Sequence, residues 1–373
     1  MVLDKLPLSG VFLDRPIAEP IAADNTLHVC DSCGHGYLSH VIDPERMYDQ
    51  SYQHASLNSS MAHRGNDFLF DFILQSGYGR RFDYCVEVGC DDLYLLEKLG
   101  KCSINVLGVD PQWKGRQPEM ASDNIRVVGD LIENVNFQDV FEGRPDLIVL
   151  SHTLEHLADP RKTLQILLDS AKDDASIAIE VPSFDQQVYH GRMDMVFHQH
   201  LHYFSLHSMV RLLESLGARY VDHRINHHYL CGTMLIMFRK NSVSATSGVG
   251  RRISQQTVAA SIAGFRQACD STMLEISRLQ EKKYAYGASQ LLPLLAYHLQ
   301  TDMSEFAAIL DRSDTRIGKY FPGLPVPIIH PHNATDIAKS AVLITAVDSS
   351  RDILPNLIAL NPQTIVRGVF SIN

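Results

Sequence analysis

Long apolar runs are missing from this sequence, which has nothing close to the roughly 18 consecutive apolar residues of a membrane-spanning helix. The first residues, 1–13, also lack the basic start and apolar core of a secretory signal peptide. Seven cysteines, an odd number, lie mostly in apolar, strand-like contexts, which indicates reduced thiols. We therefore expect a cytoplasmic protein that does not enter a membrane.

Positive charge is also scarce, because 33 Lys and Arg face 43 Asp and Glu and the net charge is −10. An excess of acids gives no reason to expect a nucleic-acid partner. Only 20% of the residues are charged whereas 45% are hydrophobic, a balance typical of globular proteins with ample material for cores. At 373 residues, two to three domains are expected.

Three parts with different patterns follow one another along the chain. Residues 1–64 are irregular and rich in polar residues, 65–240 alternate short apolar runs with helical patterns, and 241–373 hold a long helical segment (253–283) and a second α/β unit. The central alternation predicts a doubly wound parallel sheet. The strand candidates are 84–88, 105–109, 125–128, 146–150 and 176–181, with an antiparallel pair at 220–225 and 233–238, and 306–310, 342–345 and 364–366 in the last part.

The most informative segment is a strand that ends in a single glycine, Val86-Glu87-Val88-Gly89, followed about twenty residues later by a strand that ends on Asp110. A glycine turn lets the backbone approach a ligand, and the later acid can accept from both ribose hydroxyls of an adenosine. Dinucleotides need three glycines and a helix N-terminus open to their pyrophosphate. Here Leu93 replaces the third glycine, and the acids at 91 and 92 would repel phosphate. A positively charged sulfonium tolerates these acids, so the segment favours S-adenosylmethionine.

The predicted cofactor site lies across the carboxyl ends of the strands, where ligands of α/β sheets bind. We expect Glu87 and Gly89 to contact the methionine part of the cofactor and Asp110 to contact the ribose hydroxyls. Asp130 and Leu131 are expected at the adenine edge, and Ser151 and His152 beneath the sulfonium. For Asp130 an ordinary turn at the end of a strand is the alternative.

A second polar segment, Ser151-His152-Thr153-Leu154-Glu155-His156, follows the strand candidate at 146–150. It puts polar side chains at the same carboxyl edge of the sheet. The alternative is that Glu155 and His156 only cap a helix. Together with Gly89 and Asp110, the segment favours a site.

The chain resembles the deoxysugar C-methyltransferases, which methylate a ring carbon beside the ketone of a nucleotide-linked keto-sugar. The resemblance covers nearly all of the chain, and its most specific motifs are the string Phe197-His198-Gln199-His200-Leu201-His202-Tyr203-Phe204-Ser205 and the run Gly318-Lys319-Tyr320-Phe321-Pro322-Gly323. Further motifs lie at 6–13, 44–48, 86–89, 180–182, 286–288 and 311. The resemblance implies a small zinc-binding N-terminal domain, a central methyltransferase domain and a C-terminal Rossmann-like domain. In this chain we expect residues 1–64 to be a lid, a remnant of the zinc-binding domain. Residues 65–240 are expected to form the seven-stranded methyltransferase domain, and residues 241–373 a Rossmann-like domain that completes the acceptor cleft.

The catalytic string departs from the family's usual Tyr-His-Glu-His, which is here Phe197-His198-Gln199-His200. By resemblance the last histidine, His200, deprotonates the acceptor carbon, and we expect His198 or Gln199 to orient it or the acceptor. Phe197 and Gln199 stand where the family has Tyr and Glu. A neutral Gln cannot raise the basicity of an imidazole as a carboxylate does. The base is therefore weaker, or the acceptor is more acidic or of another kind.

The acceptor is expected in the cleft between the central and C-terminal domains. By resemblance, Tyr52 and the segment 52–63, which includes His54, Ser56 and Ser59, fold over the site as a lid, and a solvated linker is the alternative. The family's Lys-Gly-Asn loop is replaced here by Ser289-Gln290-Leu291-Leu292, without its cation. The substrate-binding candidates are Tyr52, Glu180, Tyr203, Gly287 and Ser289.

Zinc is a further expectation of the resemblance, which implies four cysteines in two pairs. Only Cys30-Asp31-Ser32-Cys33 is present, and a closed zinc site needs four ligands. His28 and His35 flank the pair and are awkwardly placed to complete it, so a reduced pair without metal is the alternative. His198, His200 and His202 alternate and would share one face of an extended segment, which offers another metal hypothesis.

Two functions from different classes follow. The first is S-adenosylmethionine-dependent methyl transfer to a small polar acceptor, above all carbon methylation of a nucleotide-linked keto-sugar, with transfer to nitrogen or oxygen as the variant. The second is cofactor binding without catalysis, as in a scaffolding protein. We expect a monomer or homodimer with a small-molecule acceptor and no nucleic-acid or membrane partner.

Overall fold

The computed structural model describes residues 1–42, 60–77, 79–116, 118, 122–140, 142–241 and 248–369. These residues form three sheets. No helix within these ranges is long and apolar enough to cross a bilayer.

The central sheet confirms the predicted doubly wound architecture. Its seven strands are β4 (Phe82–Val88), β5 (Ser103–Val109), β6 (Ile125–Val128), β7 (Leu147–Ser151), β8 (Ser176–Pro182), β10 (Ala218–Asn226) and β11 (Thr233–Lys240). They lie in the order β10-β11-β8-β7-β4-β5-β6. The first five are parallel to one another, and β11 pairs antiparallel with both β8 and β10. In this register Val88 lies beside Val109 and Leu150.

Helices cover the central sheet, and capping residues account for where they begin. They are α1 (Ser60–Ser76), α2 (Tyr94–Cys102), α3 (Pro160–Ser170), α4 (Phe184–His190) and α5 (Leu206–Glu214). Asp159 caps α3 by accepting from the Lys162 amide, with Pro160 in the first turn as predicted. Ser205 and Ser208 bond reciprocally at the start of α5, and Gly217 follows that helix with φ of 84°. All seven residues of β8 are buried, Glu180 among them.

The N-terminal part differs from the irregular segment that its composition predicted. Strands β1 (Val2–Pro7), β2 (Ala22–Val29) and β3 (Gly36–Leu38) form an antiparallel sheet, which β9 (His202–Tyr203) completes. The strands are short, and β2 carries polar residues such as Asn25, so no clear alternation is visible in the sequence. Strand β3 finds its last partner far along the chain, which local patterns cannot reveal.

The C-terminal sheet has the strands β12 (Lys282–Tyr286), β13 (Ile309–Leu310), β14 (Ile328–Ile329), β15 (Ser340–Ile344) and β16 (Thr364–Val366). They are parallel and lie in the order β14-β13-β12-β15-β16. The helices of this part are α6 (Gln255–Arg278), α7 (Leu292–Leu299) and α8 (Ser350–Ala359). The long helix begins at Gln255 because the Ser254 side chain caps it. Strand β13 is shorter than the predicted segment 306–310.

A buried ion pair joins the central and C-terminal parts. The guanidinium of Arg192 donates to Asp194, with Nε 2.9 Å from Oδ1, and to Asp348, with Nη1 2.8 Å from Oδ1. Asp348 is two residues after Ala346 in the sequence. Ala346 packs so closely against Gly287 that a Cβ added at Gly287 would overlap the Ala346 side chain. The ion pair therefore holds the Gly287 turn in place relative to the central domain.

Candidate active site

Unusual backbone conformations concentrate at the carboxyl edge of the central sheet. After β4, Gly89 has φ of 77°, and the non-glycine residues Asp91 and Leu93 have φ of 34° and 67°. After β7, His152 has φ of 47°. Non-glycine residues with positive φ are strained and persist where the surroundings hold them, often at binding sites. The two turns therefore mark one edge of the sheet as the candidate site.

The turn after β4 is held by Asp110, which follows β5. One carboxylate oxygen of Asp110 accepts from the Asp91 amide at 3.0 Å, and the other accepts from the Gln112 amide at 2.9 Å. Gln112 also donates to the Asp91 side chain at 3.0 Å, and the Trp113 indole donates to the Asp91 carbonyl at 3.0 Å. Asp110 is partly exposed beside Gly89, so contact with a ribose stays a prediction that this geometry allows.

Glu87 is buried at the end of β4. Its Oε2 has no hydrogen-bond partner within the described part of the chain. Burial raises the pKa of Glu87 well above its usual range, and the nearby acids Asp92, Asp110 and Asp91 raise it further. A buried carboxyl group without a partner is costly unless a ligand satisfies it. At Gly89 a Cβ would collide with Thr153, so the close packing of the two turns requires glycine there. These features fit a ligand that carries an amino group and a positive charge.

The predicted adenine contacts are less distinctive. Asp130 accepts from the Leu131 amide at 2.7 Å and from the Asn134 side chain at 2.8 Å. These hydrogen bonds, that of Asn134 first, lower the pKa of Asp130. The carboxylate therefore closes its own turn, as in the alternative interpretation, while Leu131 is 55% exposed. A contact with adenine stays a prediction for both residues.

Next to this turn, Glu180 is fixed by two hydroxyl groups. Ser151 donates to Oε2 at 2.8 Å, and Thr233 donates to Oε1 at 3.1 Å. The register explains the first contact, since Ser151 and Glu180 pair across β7 and β8. Glu180 is fully buried, so its orientation is set by the sheet.

His152 lies between two buried carboxylates. Its Nδ1 is 3.2 Å from Glu155 Oε1, and its Nε2 is 3.8 Å from Glu180 Oε1. Burial lowers the pKa of His152, but the hydrogen bond to Glu155 and the charge of Glu180 outweigh it and raise the pKa to about 10. Burial likewise raises the pKa of Glu155, but His152 and the neighbouring histidines outweigh it and lower the pKa to about 2. At neutral pH the structure therefore holds an imidazolium between two carboxylates.

His200, the predicted base, lies close to this group. Its ring is 4.2 Å from the Phe197 ring and 4.8 Å from the His156 ring, measured between centroids. Burial, and then the neighbouring His156, lower the pKa of His200 to about 3. The imidazole is therefore neutral at physiological pH and carries a lone pair. It is also a weak base for as long as its surroundings remain unchanged.

The two residues next to His200 face the N-terminal sheet. The Nε2 atom of His198 donates to the Leu6 carbonyl at 3.0 Å, and its Nδ1 accepts from Asn25 at 3.1 Å. Gln199 accepts from the Ser9 hydroxyl at 3.0 Å and donates to the Ser9 carbonyl at 3.3 Å. Their contacts within the described residues are thus structural, and a catalytic role for either one stays a prediction.

The hypothesis of a shared histidine face is wrong. Residues 198–199 form a turn, so His198, His200 and His202 point to different partners. His202 Nδ1 lies 3.0 Å from the Nε2 of His35, while His200 packs against His156.

Among the acceptor candidates, Tyr203 has a hydroxyl that accepts from the Phe197 amide at 3.1 Å within the core. Burial raises the pKa of Tyr203. Gly287 has φ of 108° at the end of β12, and the Ala288 amide next to it donates to Asp311 at 2.7 Å. Ser289 is half-buried. Contact of these residues with an acceptor stays a prediction.

The lid prediction falls mostly on residues outside the described ranges. Tyr52, His54, Ser56 and Ser59 all lie there. His63 is described, and its ring stacks on Tyr94 with centroids 4.0 Å apart. Its Nε2 is 3.3 Å from Asp92, so the described end of the segment lies beside the glycine turn.

The Cys30–Cys33 pair does not fit a closed zinc site. The Gly34 amide donates to the Cys30 carbonyl, which makes the pair a tight turn. His35, a suggested third ligand, has its Nε2 against His202. The described residues bring no third cysteine, histidine or carboxylate to the two thiols, whereas a structural zinc ion takes four ligands.

Several residues of the site carry weak signals in the sequence. Glu155 and His156 belong to a segment that favoured a site, with capping as the alternative, but their partners His152 and His200 are apparent only in three dimensions. Tyr229 gave no signal, although its ring lies edge-on to His152 with centroids 5.1 Å apart. It sits in a loop whose Leu230 and Cys231 also have positive φ.

Two family models and a curated relative match this chain. Residues 61–223 match the family model described as a methyltransferase domain, and residues 246–363 match the model described as a C-methyltransferase C-terminal domain. The C-methyltransferase NovU of Streptomyces niveus is 24% identical over 352 residues, which cover 88% of this chain and 81% of NovU.

Solved structures of methyltransferases resemble about half of this chain. The N-methyltransferase NodS from Bradyrhizobium japonicum, in complex with S-adenosylhomocysteine, is 16% identical and covers 50% of this chain and 90% of its own, with a TM-score of 0.38. The 1,6-didemethyltoxoflavin-N1-methyltransferase of Burkholderia thailandensis is 16% identical and covers 58% of this chain and 99% of its own, with the same TM-score.

The sheet order and the two matched domains define the class of the protein. It is a methyltransferase enzyme with the fold of S-adenosylmethionine-dependent methyltransferases. The segment that matches the methyltransferase model precedes the segment that matches the C-methyltransferase C-terminal model.

Proposed function

We propose that this enzyme transfers a methyl group from S-adenosylmethionine to the carbon beside the ketone of a small polar acceptor, a nucleotide-linked keto-sugar. The observation that carries the proposal is a neutral histidine, His200, in a buried loop beside the predicted cofactor edge. The match of residues 246–363 to a C-methyltransferase domain and the similarity to NovU support carbon as the acceptor atom.

The cofactor would be held by residues of the β4 and β5 turns. Glu87 offers its unpaired Oε2 to an amino group, Gly89 allows close approach of the backbone, and Asp110 offers carboxylate oxygens to ribose hydroxyls. When bound, the cofactor would supply an electrophilic methyl group, and the broken carbon–sulfur bond would leave its electron pair on the departing S-adenosylhomocysteine.

His200 acts as the general base. The C–H bond beside the ketone breaks, its electron pair stays with the carbon and the ketone oxygen as an enolate, and the proton moves to a ring nitrogen of His200. The enolate carbon keeps the electron pair with which it bonds the methyl group. The proton later leaves His200 for solvent.

Among the nearby charges, Glu155 makes this proton transfer less costly, whereas His156 and His152 oppose it. A carboxylate oxygen of Glu155 lies within 4.8 Å of a ring nitrogen of His200, and an ionised carboxylate stabilises an imidazolium that forms close to it. His152 keeps Glu155 ionised. Because His200 is otherwise a weak base, the acceptor needs an acidified C–H bond, which a neighbouring ketone provides.

The test is turnover with methyl-labelled S-adenosylmethionine and a panel of nucleotide-linked sugars. Each keto-sugar is paired with the same sugar reduced at the ketone, which is the matched control. We expect a new carbon–carbon bond, detected by NMR, with keto-sugars alone. His190→Asn removes an exposed histidine and serves as the control for His200→Ala. A methyl group on nitrogen or oxygen, or transfer to the reduced sugars, would contradict the proposal.

Transfer to an amine or hydroxyl is the second candidate. It is favoured by the side chain of Gln199, which stands where the family has a carboxylate and is bonded to Ser9. Such acceptors need a weaker base, so their methylation would tolerate the loss of His200 better. The same panel, extended with amino-sugars, distinguishes the two chemistries by the atom that carries the label.

A further inference from the structure

One carboxylate and two imidazole side chains lie close together at the loop after β7. A carboxylate oxygen of Glu155, a ring nitrogen of His156 and a ring nitrogen of His200 all lie within 4.8 Å of one another. Glu155 and His156 belong to the short turn Leu154–His156, whereas His200 comes from the loop before β9.

The backbone fixes the two loops against each other. The Leu201 amide donates to the Glu155 carbonyl at 2.8 Å. The Nδ1 atom of His156 donates to the Gln199 carbonyl at 2.7 Å. Because a carbonyl can only accept, this bond fixes the proton on Nδ1 and sets the orientation of the ring. A backbone carbonyl that orients a histidine in this way is a typical feature of metal-binding histidines.

The carboxylate of Glu155 supplies an independent indication of a ligand. Its Oε1 bonds to His152, but its Oε2 is buried without a hydrogen-bond partner among the residues described. The whole residue is 1% exposed. Leaving such an oxygen unsatisfied costs free energy, which a cation beside it would offset.

We propose that Glu155, His156 and His200 form a binding site for a divalent transition-metal ion such as Zn²⁺. Two imidazoles and one carboxylate suit zinc and its neighbours, whereas magnesium and calcium prefer oxygen ligands. The site differs from the Cys30–Cys33 turn and uses none of its residues. His156 is partly exposed and gives the ion a route in from solvent.

Binding requires a small adjustment. Bond lengths of about 2.0–2.2 Å put the ligand atoms of a tetrahedral ion about 3.4 Å apart. The ligand atoms here lie within 4.8 Å of one another, so no pair has to close by more than about 1.4 Å. Rotation of the side chains can supply this. Three protein ligands leave a position for water or another small ligand.

The metal would inhibit the enzyme. This consequence rests on the proposed function, in which a ring nitrogen of His200 accepts a proton from the acceptor. A nitrogen that is bound to a metal ion cannot accept that proton, because its lone pair is already donated to the metal. Binding itself does not depend on that function, so it is measured without turnover.

The test is calorimetric titration with ZnCl₂ of the full chain carrying Cys30→Ser and Cys33→Ser, so that the thiols do not contribute. We expect one bound equivalent, and His156→Ala or His200→Ala in this background should each weaken binding at least about tenfold. The matched control His190→Asn should bind zinc as the parent does. Absence of zinc binding, or unchanged affinity in both the His156→Ala and the His200→Ala variant, would overturn the proposal.

A second measurement guards against variants that misfold. In the parent protein with ¹⁵N-labelled histidines, zinc should change the ring resonances of His156 and His200 and leave that of His190 unchanged. Turnover of the keto-sugar found in the panel should fall as the same resonances shift. Perturbation of other histidines alone would contradict the site, while bound zinc without inhibition would contradict only the role of His200 as the base.

Discussion

Gln199→Glu is an informative perturbation because it restores the residue of the resembled family. The side chain is 3% exposed and lies against Ser9, to whose carbonyl its amide donates. In the variant a carboxylate oxygen faces that carbonyl, so a donor is lost and two acceptors meet in a buried place. The bond from the Ser9 hydroxyl can remain.

The expected cost is about 1–3 kcal/mol of stability, the usual penalty for a buried polar group left without its partner. Urea unfolding followed by circular dichroism should show an earlier midpoint than in the parent. Gln267→Glu makes the same change on an exposed face of α6 and should stay within about 0.5 kcal/mol. S-adenosylhomocysteine calorimetry checks that the cofactor site is intact.

Turnover by Gln199→Glu should not rise, since the side chain faces Ser9 and not His200. A variant with faster turnover and an unchanged unfolding midpoint would refute this reasoning. It would mean that the carboxylate turns toward His200 and raises its basicity.

Three further predictions follow from the site. Asp110→Ala should weaken S-adenosylhomocysteine binding by about 1–3 kcal/mol through unpaired hydroxyls, and unchanged affinity in calorimetry would exclude Asp110. His200→Ala should reduce turnover at least about a hundredfold for a carbon acceptor but less than about tenfold for an amine or hydroxyl, as measured by single-turnover kinetics. The folded pKa of His152 is raised to about 10, so its stabilising contribution is complete below the unfolded pKa of about 6.5 and disappears as pH rises toward 10. His152→Asn should therefore cost more stability at pH 6 than at pH 9.5, and an equal cost at both pH values would contradict the pairing with Glu155 and Glu180.

Much of the fold could be predicted because local signals and global structure agree. The apolar runs of β4, β5, β7 and β8 are buried strands, and Asp159 and Gly217 lie where a helix begins and where one has ended. The glycine turn and Asp110 are also local signals, since each follows directly from the end of a strand. The N-terminal sheet was missed because its strands are short and polar and because it is completed by a distant segment.

The chemistry within the site depended on pairings that no sequence pattern shows. The substitution at position 199 suggested a weakened base, but only the structure gives Gln199 a partner in Ser9. Similarly, His152 was predicted as a cofactor contact, whereas its position between Glu155 and Glu180 depends on the register of β7 and β8. Ring burial at His200 is also a tertiary effect, so its lowered pKa could not be predicted.

The strand β9 has a consequence for synthesis of the chain on the ribosome. β3 pairs with β2 early, but its other edge finds Tyr203 only after about 160 further residues have been made. At about 5–20 residues per second, this edge waits about 8–30 seconds for its partner. An unpaired strand edge can associate with other chains during that interval. Nascent chains that stall before residue 203 should therefore be the ones that engage chaperones or aggregate.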